Sequence, residues 1–382
     1  MPESTVDYLW LGLSYLLQGI GLFAVATFLF DIIHFLLHCF MKSRWSWLRR
    51  IGDLHRAHHE FLTEDLRFQE SVTRRNLLLH VVPEFSTQML VCSLGFLVLD
   101  PIPVVVVMAM FSVIFVFVII QKGKDANHVA AEKLLSAHET IFVMAPYHSL
   151  HHIHPENYFA SYTTLIDRIL GTACQIRGRK FAMTGASGAF GSPFKRMLEH
   201  AGAANVATFK FGEDFTYENY ADLDEELAAA DVLVLSHGSK LDHAMEANCD
   251  SFLAIIERFK ELHKDDRFPT EVWAVGSEIE CHPAFGNKNL QVYLESKRAY
   301  ARHARRYYRD RAILYRHIVP SAFTSRMGPG LISGTMAARI ALFFIRRGFR
   351  YVPVTYTGIA FVNYFKFLFP INIARKGDEV TR

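Results

Sequence analysis

His148-Ser149-Leu150-His151-His152 repeats the spacing of His55-Arg56-Ala57-His58-His59, and His34-x3-His38 precedes both. Histidines at i, i+3 and i+4 share one face of a helix. Each stretch is therefore predicted to be helical, with its imidazoles on one side. Each also lies beside a membrane-length apolar segment, and imidazole near a bilayer is costly without a partner. Neutral imidazole binds iron, zinc and copper. Eight converging side chains are too many for one ion and suit two. Solvated histidines in interfacial loops would explain a single HxxxH, but not three ordered clusters.

Working outward, Tyr8–Phe30 is almost uninterrupted apolar sequence, long enough to cross a bilayer. Leu77–Leu99 and Ile102–Ile120 are two further candidates, separated by Asp100-Pro101, and together they read as a membrane hairpin. His80 and Glu84 interrupt the second candidate, which starts later or turns toward the bundle interior. The start, Met1 to Asp7, is acidic, and the run after it is too long for a cleavable signal peptide. Lys42, Arg44, Arg49, Arg50 and Arg56 follow the first span, and Lys122 and Lys124 follow the third. The positive-inside bias puts both segments, and every histidine cluster, on the cytoplasmic side.

Composition agrees with a split chain. Of 382 residues, 51% are hydrophobic and 21% charged. The apolar excess sits before residue 121 and again near residues 336–371. The net charge of +3 has no long basic run, so nucleic acid is not an expected partner. The five cysteines are scattered without a CxxC, which suits a reducing compartment and no disulfide framework.

Thr172–Lys180 reads as a linker, and after it the pattern changes. Predicted strands at Phe181–Met183, Val206–Phe211, Asp231–Leu235, Glu271–Val275 and Ala312–Ile318 alternate with predicted helices. The helices are Pro193–Ala201, His243–His263 and Tyr293–Asp310. Such alternation predicts a parallel sheet with helices on both faces. Met336–Pro370 is apolar but broken by Arg346, Arg347, Arg350 and Pro353. It either lies on the membrane surface or closes the second domain's core, and pattern alone leaves both open.

Met183-Thr184-Gly185-Ala186-Ser187-Gly188-Ala189-Phe190-Gly191 follows a predicted strand and precedes a helix. Glycines there let the backbone approach a pyrophosphate at a helix N-terminus. Tyr293-x3-Lys297 puts a phenol and an ammonium on one helix face, where the cation can lower the phenol's pKa for proton transfer. Ser277 ends a strand, where its hydroxyl can meet a carbonyl oxygen.

The three histidine clusters resemble the fatty acid hydroxylase / sterol desaturase superfamily. So do Asn157-Tyr158 and Asp167-Arg168-Ile169-Leu170-Gly171-Thr172. The resemblance covers about residues 8–172. It implies a helical membrane protein with a cytoplasmic dimetal centre and O₂-dependent chemistry on a lipid. It carries over His34, His38, His55, His58, His59, His148, His151 and His152 as ligands, with His128 a weaker candidate. It leaves His138 and His154 in outer or solvated roles. Asp31 departs from the family pattern and is expected to orient His34 or His38. The implied metals are two iron ions, with purely structural zinc as the rival.

Residues 179–335 resemble the short-chain dehydrogenase/reductase family. The matched set is Asn248 as proton relay, Ser277 as carbonyl binder, Tyr293 as general acid/base and Lys297 as pKa modulator with a ribose contact. Gly185, Ser187, Gly188 and Gly191 would approach the nucleotide. The sequence departs from the family in three places. The loop reads TGxxGxxG, Ser236-His237-Gly238 replaces Asn-Ala-Gly, and the short stretch from Phe211 to Asp231 leaves the third family strand degenerate or missing. Lys210, with no obvious acidic residue after the second strand, leans toward a 2′-phosphate and so NADP(H) over NAD(H).

The predicted architecture is an α-helical membrane domain with a histidine-rich dimetal site (1–172), followed by an α/β Rossmann-like domain (179–335) and a C-terminal apolar segment (336–382). The whole resembles bacterial bifunctional sterol desaturase/short-chain dehydrogenases. That implies a lipid hydroxylase or desaturase with a fused NAD(P)-dependent partner domain. The membrane, a fatty acyl or sterol-like lipid, and an electron donor such as a ferredoxin or cytochrome are its expected partners. Fatty-aldehyde cleavage, and a second domain that only senses nucleotide, are the competing readings.

Overall fold

The computed structural model describes residues 4–136, 140–241, 243–283 and 290–368. His138 lies outside them. The chain divides into two compact units, Met1–Gln175 and Ile176–Arg382.

In the first unit, α1 (Thr5–Met41) starts at a capping box. Ser4 Oγ accepts from Asp7 N at 3.2 Å, and Asp7 Oδ2 accepts from Ser4 N at 2.9 Å. Its 37 residues rise about 55 Å, where a bilayer's hydrocarbon core needs about 30 Å. The expected span ended at Phe30, but the helix runs on and carries Asp31, His34 and His38 in its last turns. Apolar side chains from Tyr8 to Ile20 are largely exposed, as lipid-facing residues are, and full burial begins at Leu22. Next come α2 (Ser46–Phe61), α3 (Glu70–Gly95) and α4 (Pro101–Ile120). By length and composition, α1, α3 and α4 can each cross a membrane. They pack on Leu22, Ala26, Cys92, Val104, Val107 and Phe111.

A π turn at Leu77–Val81 interrupts α3 just before Pro83. Proline has no N–H for the i→i−4 ladder, so the ladder must shift there. Two short helices complete the unit, α5 (Ala145–Ile153) and α6 (Leu165–Leu170). The second ends on Gly171 at φ 72°, a left-handed cap that favours glycine.

The second unit is a six-stranded sheet, parallel at every pairing, in the order β2-β1-β3-β4-β5-β8. Its strands are β1 (Lys180–Thr184), β2 (Asn205–Phe209), β3 (Val232–Leu235), β4 (Thr270–Val275), β5 (Ile313–Pro320) and β8 (Tyr351–Val354). The helices are α7 (Gly191–His200), α8 (Asp224–Ala228), α9 (Ser251–Leu262), α10 (Gln291–Arg309), α11 (Gly334–Arg346) and α12 (Ile359–Leu368). A two-stranded ribbon, β6 (Phe323–Thr324) with β7 (Ile332–Ser333), lies outside the sheet.

The order reverses direction at β1, and ligands of such sheets bind beyond the strand ends at that switch point. Only α8 and a 3₁₀ turn lie between β2 and β3, so β2 is an edge. The third family strand is therefore missing, as the short sequence between Phe211 and Asp231 implied.

Residues 336–354 are not a segment apart. They finish α11 and supply β8, which pairs with β5, and Tyr351, Val352 and Val354 are fully buried. The choice left open for this stretch thus resolves to core through Val354. An unpaired β5 edge is covered by burying an apolar strand on it. Beyond it, α12 buries Ala360 and Phe367 but exposes Phe361, Val362 and Phe365. Pro370, the end of that predicted stretch, lies outside the described residues.

Candidate functional site

In the first unit the clustered imidazoles converge into two groups. His34, His38, His55, His59 and His151 form one, and His58, His128, His148 and His152 the other. Within each group the candidate ligand atoms lie within 4.8 Å of one another. The two HxxHH stretches each divide between the groups: on α2, His55 and His59 face one and His58 the other, and on α5 His151 stands apart from His148 and His152.

The donors fit bound metal. His34, His148, His151 and His152 have buried Nε2 atoms with no hydrogen-bond partner, and both ring nitrogens of His55 are in the same state. Each such orphan costs about 1–3 kcal/mol, which a cation at that point removes. His38 Nε2 and His59 Nε2 are 3.2 Å apart, as are His58 Nε2 and His128 Nε2. Two nitrogens each about 2.1 Å from a shared ion sit at about that separation. Burial, with neighbouring histidines adding to it, pushes His59 and His148 down to about 3. It likewise lowers His55, His58, His151 and His152. Neutral imidazole is the metal-binding form.

Outer contacts fix which nitrogen points inward. His34 Nδ1 bonds Phe159 O at 2.8 Å, His151 Nδ1 bonds Asn157 O at 2.8 Å and His152 Nδ1 bonds Leu62 O at 2.7 Å. With the proton on Nδ1, each Nε2 lone pair is left for metal. The accepting loop is itself pinned. Asp167, fully buried, accepts from Phe159 N and Ala160 N at 2.9 Å each, from Tyr147 OH at 2.9 Å and from Thr172 Oγ1 at 2.6 Å. Asn157 Nδ2 donates to Thr172 O at 3.0 Å. The Asn157 and Asp167–Thr172 motifs are therefore a clamp on the carbonyls that aim His34 and His151.

Asp31 departs from its expected part. Its Oδ1 accepts from Ser161 N at 2.8 Å, so it holds the same loop rather than a histidine ring. His128, the weaker candidate, stands fully within the second group. Its Nδ1 bonds Asp125 Oδ1 at 2.7 Å. Burial works against its charged form, but Asp125 overrides that and raises the His128 pKa. His154 belongs to neither group.

His80 was read only as a flaw in a span. The structure stacks it on His58, with ring centroids 3.8 Å apart. The available signal was Pro83, three residues on, which forces the π turn that carries His80. Beside it, His58, His80, Glu84, Gln88, Asp125, His128 and Tyr162 line a cavity with about 40 Å³ of free space, enough for two or three waters. Tyr162 OH donates to Glu84 Oε1 at 2.8 Å.

In the second unit, Gly185 has φ +70°, and a Cβ there would lie 2.5 Å from His237 N. Gly188 N closes the loop on Gly185 O at 3.0 Å, while Ser187 is exposed and α7 starts at Gly191. Lys297 is buried and donates to Val275 O at 3.1 Å. Burial lowers it to about 8, with Glu280 acting in the opposite sense. Burial raises the pKa of the Tyr293 phenol, and the nearby Ser277 side chain acts in the opposite sense. Ser277, Tyr293 and Lys297 thus meet at the ends of β4 and α10.

Asn248 is held otherwise than expected. Its amide donates to Ser239 O at 2.6 Å and Ser296 Oγ at 3.0 Å and accepts from Ser239 N at 3.1 Å, so it braces the loop after β3. His237, in place of the family's alanine, joins Thr184 Oγ1 at 2.7 Å to Ser251 Oγ at 2.8 Å. Lys210 is exposed and paired with Glu213, and its backbone N donates to Asp214 Oδ2 at 2.7 Å. Two carboxylates therefore follow β2 where none was expected, and the lean toward a 2′-phosphate loses its basis.

The order of the sheet carries the second unit's Rossmann-like fold. Among solved structures, this chain is similar to a short-chain dehydrogenase from Burkholderia cenocepacia J2315 in complex with NADP. The identity is 18%, over 51% of this chain and 95% of that one, with a TM-score of 0.43. It is also similar to a bulky-bulky ketone specific alcohol dehydrogenase from Comamonas testosteroni, at 10% identity over 53% and 97%, with a TM-score of 0.40. A curated relative, the monoglucosyldiacylglycerol epimerase of Synechocystis, is 31% identical over 245 residues. The match covers 56% of this chain and 59% of the relative. Residues 19–172 match the fatty acid hydroxylase family, and all nine clustered histidines fall inside that match.

Proposed function

We propose that this chain is a membrane-bound, lipid-modifying oxidoreductase. Its first unit holds two metal ions, taken as iron, and its second holds NAD(P)(H). The observation that carries the reading is the convergence of nine largely buried imidazoles, five of them with an orphaned Nε2, in a unit with three membrane-length helices. His34, His38, His55, His59 and His151 would hold one ion, and His58, His128, His148 and His152 the other. When bound, such a pair supplies O₂ activation against a C–H bond of an acyl or sterol-like lipid.

The chain's own residues do the rest. The Asp167 clamp and the Leu62 carbonyl fix the rings of His34, His151 and His152, and burial favours the neutral form of His55, His58, His59, His148, His151 and His152. Glu84 and Tyr162 hold a hydrogen bond at the cavity, where a proton can be kept away from bulk water. In the second unit, Tyr293 would pass a proton to or from a lipid oxygen held by Ser277. Lys297 would steady the phenolate and contact the ribose. Gly185, Ser187, Gly188 and Gly191 would admit the pyrophosphate. Nicotinamide gives a hydride and an iron pair takes single electrons, so a ferredoxin or cytochrome would supply the first unit. Loop charges favour a multi-pass topology with both sites cytoplasmic.

A second reading, epimerisation of a sugar-bearing lipid, is favoured by the curated relative's name. The aligned 56% of the chain exceeds either unit alone (175 and 207 of 382 residues), so it draws on both. Oxidation of a carbinol and re-reduction from the other face would use Tyr293 and nicotinamide with no net redox change. Lipid profiling of cells expressing wild type, His58→Ala and Tyr293→Phe tests both, alongside metal analysis. Hydroxylated or desaturated product lost in His58→Ala supports the first reading. A changed ratio of lipid-linked sugars, lost in Tyr293→Phe, supports the second. Zinc without iron and no O₂ uptake would sink the first.

A further inference from the structure

Lys240 carries an ammonium with no part in the chemistry above. It follows Gly238, where an added Cβ would lie 2.5 Å from Asn248 Oδ1 and 3.9 Å from Lys297 Nζ. Its Nζ donates to Met327 O at 2.9 Å and stands 5.4 Å from the Tyr293 ring centroid. Lys297 Nζ stands 6.0 Å from the same ring. Lys240 is half-buried, yet its partners among the described residues are a carbonyl and an aromatic face, not a carboxylate. A partly desolvated ammonium in that setting retains donors to spend: one of three is used on Met327.

Lys240 also holds the middle of the segment Phe323–Gly334, through Met327. Both ends of that segment lie by the glycine loop: Gly334 packs directly on the Ala189 backbone, and the Phe323 ring lies 6.2 Å from Phe190. The segment therefore joins the nucleotide loop to the surroundings of Tyr293. Its neighbourhood exposes large apolar side chains: Leu331 is 81% exposed, Leu241 77%, Val292 49% and Met327 39%. Large apolar side chains left facing solvent on the segments that carry Lys240, its partner Met327 and Tyr293 are what a binding surface for an apolar chain needs.

We infer that Lys240 and this apolar rim are the substrate-recognition part of the second unit's site, and that the substrate is an amphipathic lipid. Its acceptor oxygens meet the Lys240 ammonium, and its hydrocarbon chain lies along Leu241, Met327 and Leu331. The inference rests on reading Tyr293 and Lys297 as a dehydrogenase-type pair. Sugar hydroxyls and the hydroxyl of an oxidised acyl chain offer Lys240 the same chemistry, so both sources are tested.

Two probes serve: an alkyl glucoside and a 2-hydroxy fatty acid, each with a photoactivatable group near the chain end. Full-length protein in nanodiscs is labelled with NADPH or with NADH present, the labelled peptides are mapped, and binding of each nucleotide is read by fluorescence. At least one probe should label peptides containing Leu241, Met327 or Leu331. Lys240→Met should raise the half-saturating probe concentration there about tenfold, the worth of one charge-assisted hydrogen bond. Lys240→Arg should retain labelling, and nucleotide binding should be unchanged in both variants. Nucleotide binding with labelling confined to the membrane helices, or with the same half-saturation in Lys240→Met, overturns the inference. Absence of binding of both NADPH and NADH in the wild type overturns the reading of the whole site, and this inference with it.

Discussion

Replacing Asp125 by Asn should loosen one metal and leave the other. Asp125 Oδ1 accepts from His128 Nδ1 at 2.7 Å, His128 N at 2.9 Å and Asn127 N at 2.8 Å. An amide oxygen can keep all three contacts, so the fold of the turn should survive. The charge is what disappears, and it makes His128 the more basic donor of the second group. In the first group, the Nδ1 partners of His34 and His151 are neutral carbonyls, which the substitution does not touch. Losing an outer partner of a metal-binding histidine weakens affinity about 10–100-fold, or about 1.4–2.7 kcal/mol. The assay is a chelator titration of metal-loaded protein, counting ions per chain by mass spectrometry. Wild type should hold two ions. The variant should release one at about 10–100-fold lower chelator and keep the other at the wild-type midpoint. If both ions leave together, or neither midpoint moves, the division into two groups with one carboxylate-backed histidine is wrong.

Three other outcomes follow from the geometry. Gly185→Ala places a Cβ 2.5 Å from His237 N at a positive φ, so NADPH binding by fluorescence titration should be lost while metal content stays at the wild-type level; intact binding would show the loop does not hold nucleotide. Asp167→Ala strands four donors, each worth about 1–3 kcal/mol, and should lower both the thermal midpoint and the metal content, where unchanged metal would remove the clamp from the site.

Glu271 concerns stability. Burial works against its charge, but Arg179 and Arg316 override that and hold it at about 2 against 4.5. A depressed carboxyl stabilises fully above its unfolded value, so about 3 kcal/mol should be lost as pH falls from about 4.5 to about 2. Trp273 Nε1 donates to Glu271 Oε2 at 2.9 Å, so its fluorescence reports the change. Glu271→Gln should already show the loss at pH 7, and an unchanged midpoint there would refute it.

The nine histidines divide what could be read from what could not. The spacing of eight of them placed those eight on common helix faces, because helix period is a local property, while His128 was marked only by the family resemblance. Which group each joins depends on how α1, α2 and α5 cross, so the split of His58 from His55 and His59 had no sequence signal. The same holds for Asp31. Three residues from His34, it looked like its partner, but the helix turns it to Ser161. His80 hid inside an apolar run, and only the π turn ahead of Pro83 brings it to His58.

In the second half, alternating apolar runs gave five of the six sheet strands and the missing third family strand. They did not give β8, because a four-residue strand amid aromatic helices has no period of its own. The carboxylates beside Lys210 were overlooked because a turn, not a strand end, presents them.

By itself, then, the sequence determined the two-part architecture, the membrane-length helices and the identity of the imidazole donors, since composition and periodicity are carried by neighbouring residues. Only the tertiary structure decided which donors share an ion-sized space, which carbonyl or carboxylate aims each ring, and that Lys240 closes over Tyr293. Those are contacts between residues tens of positions apart, and packing alone sets them.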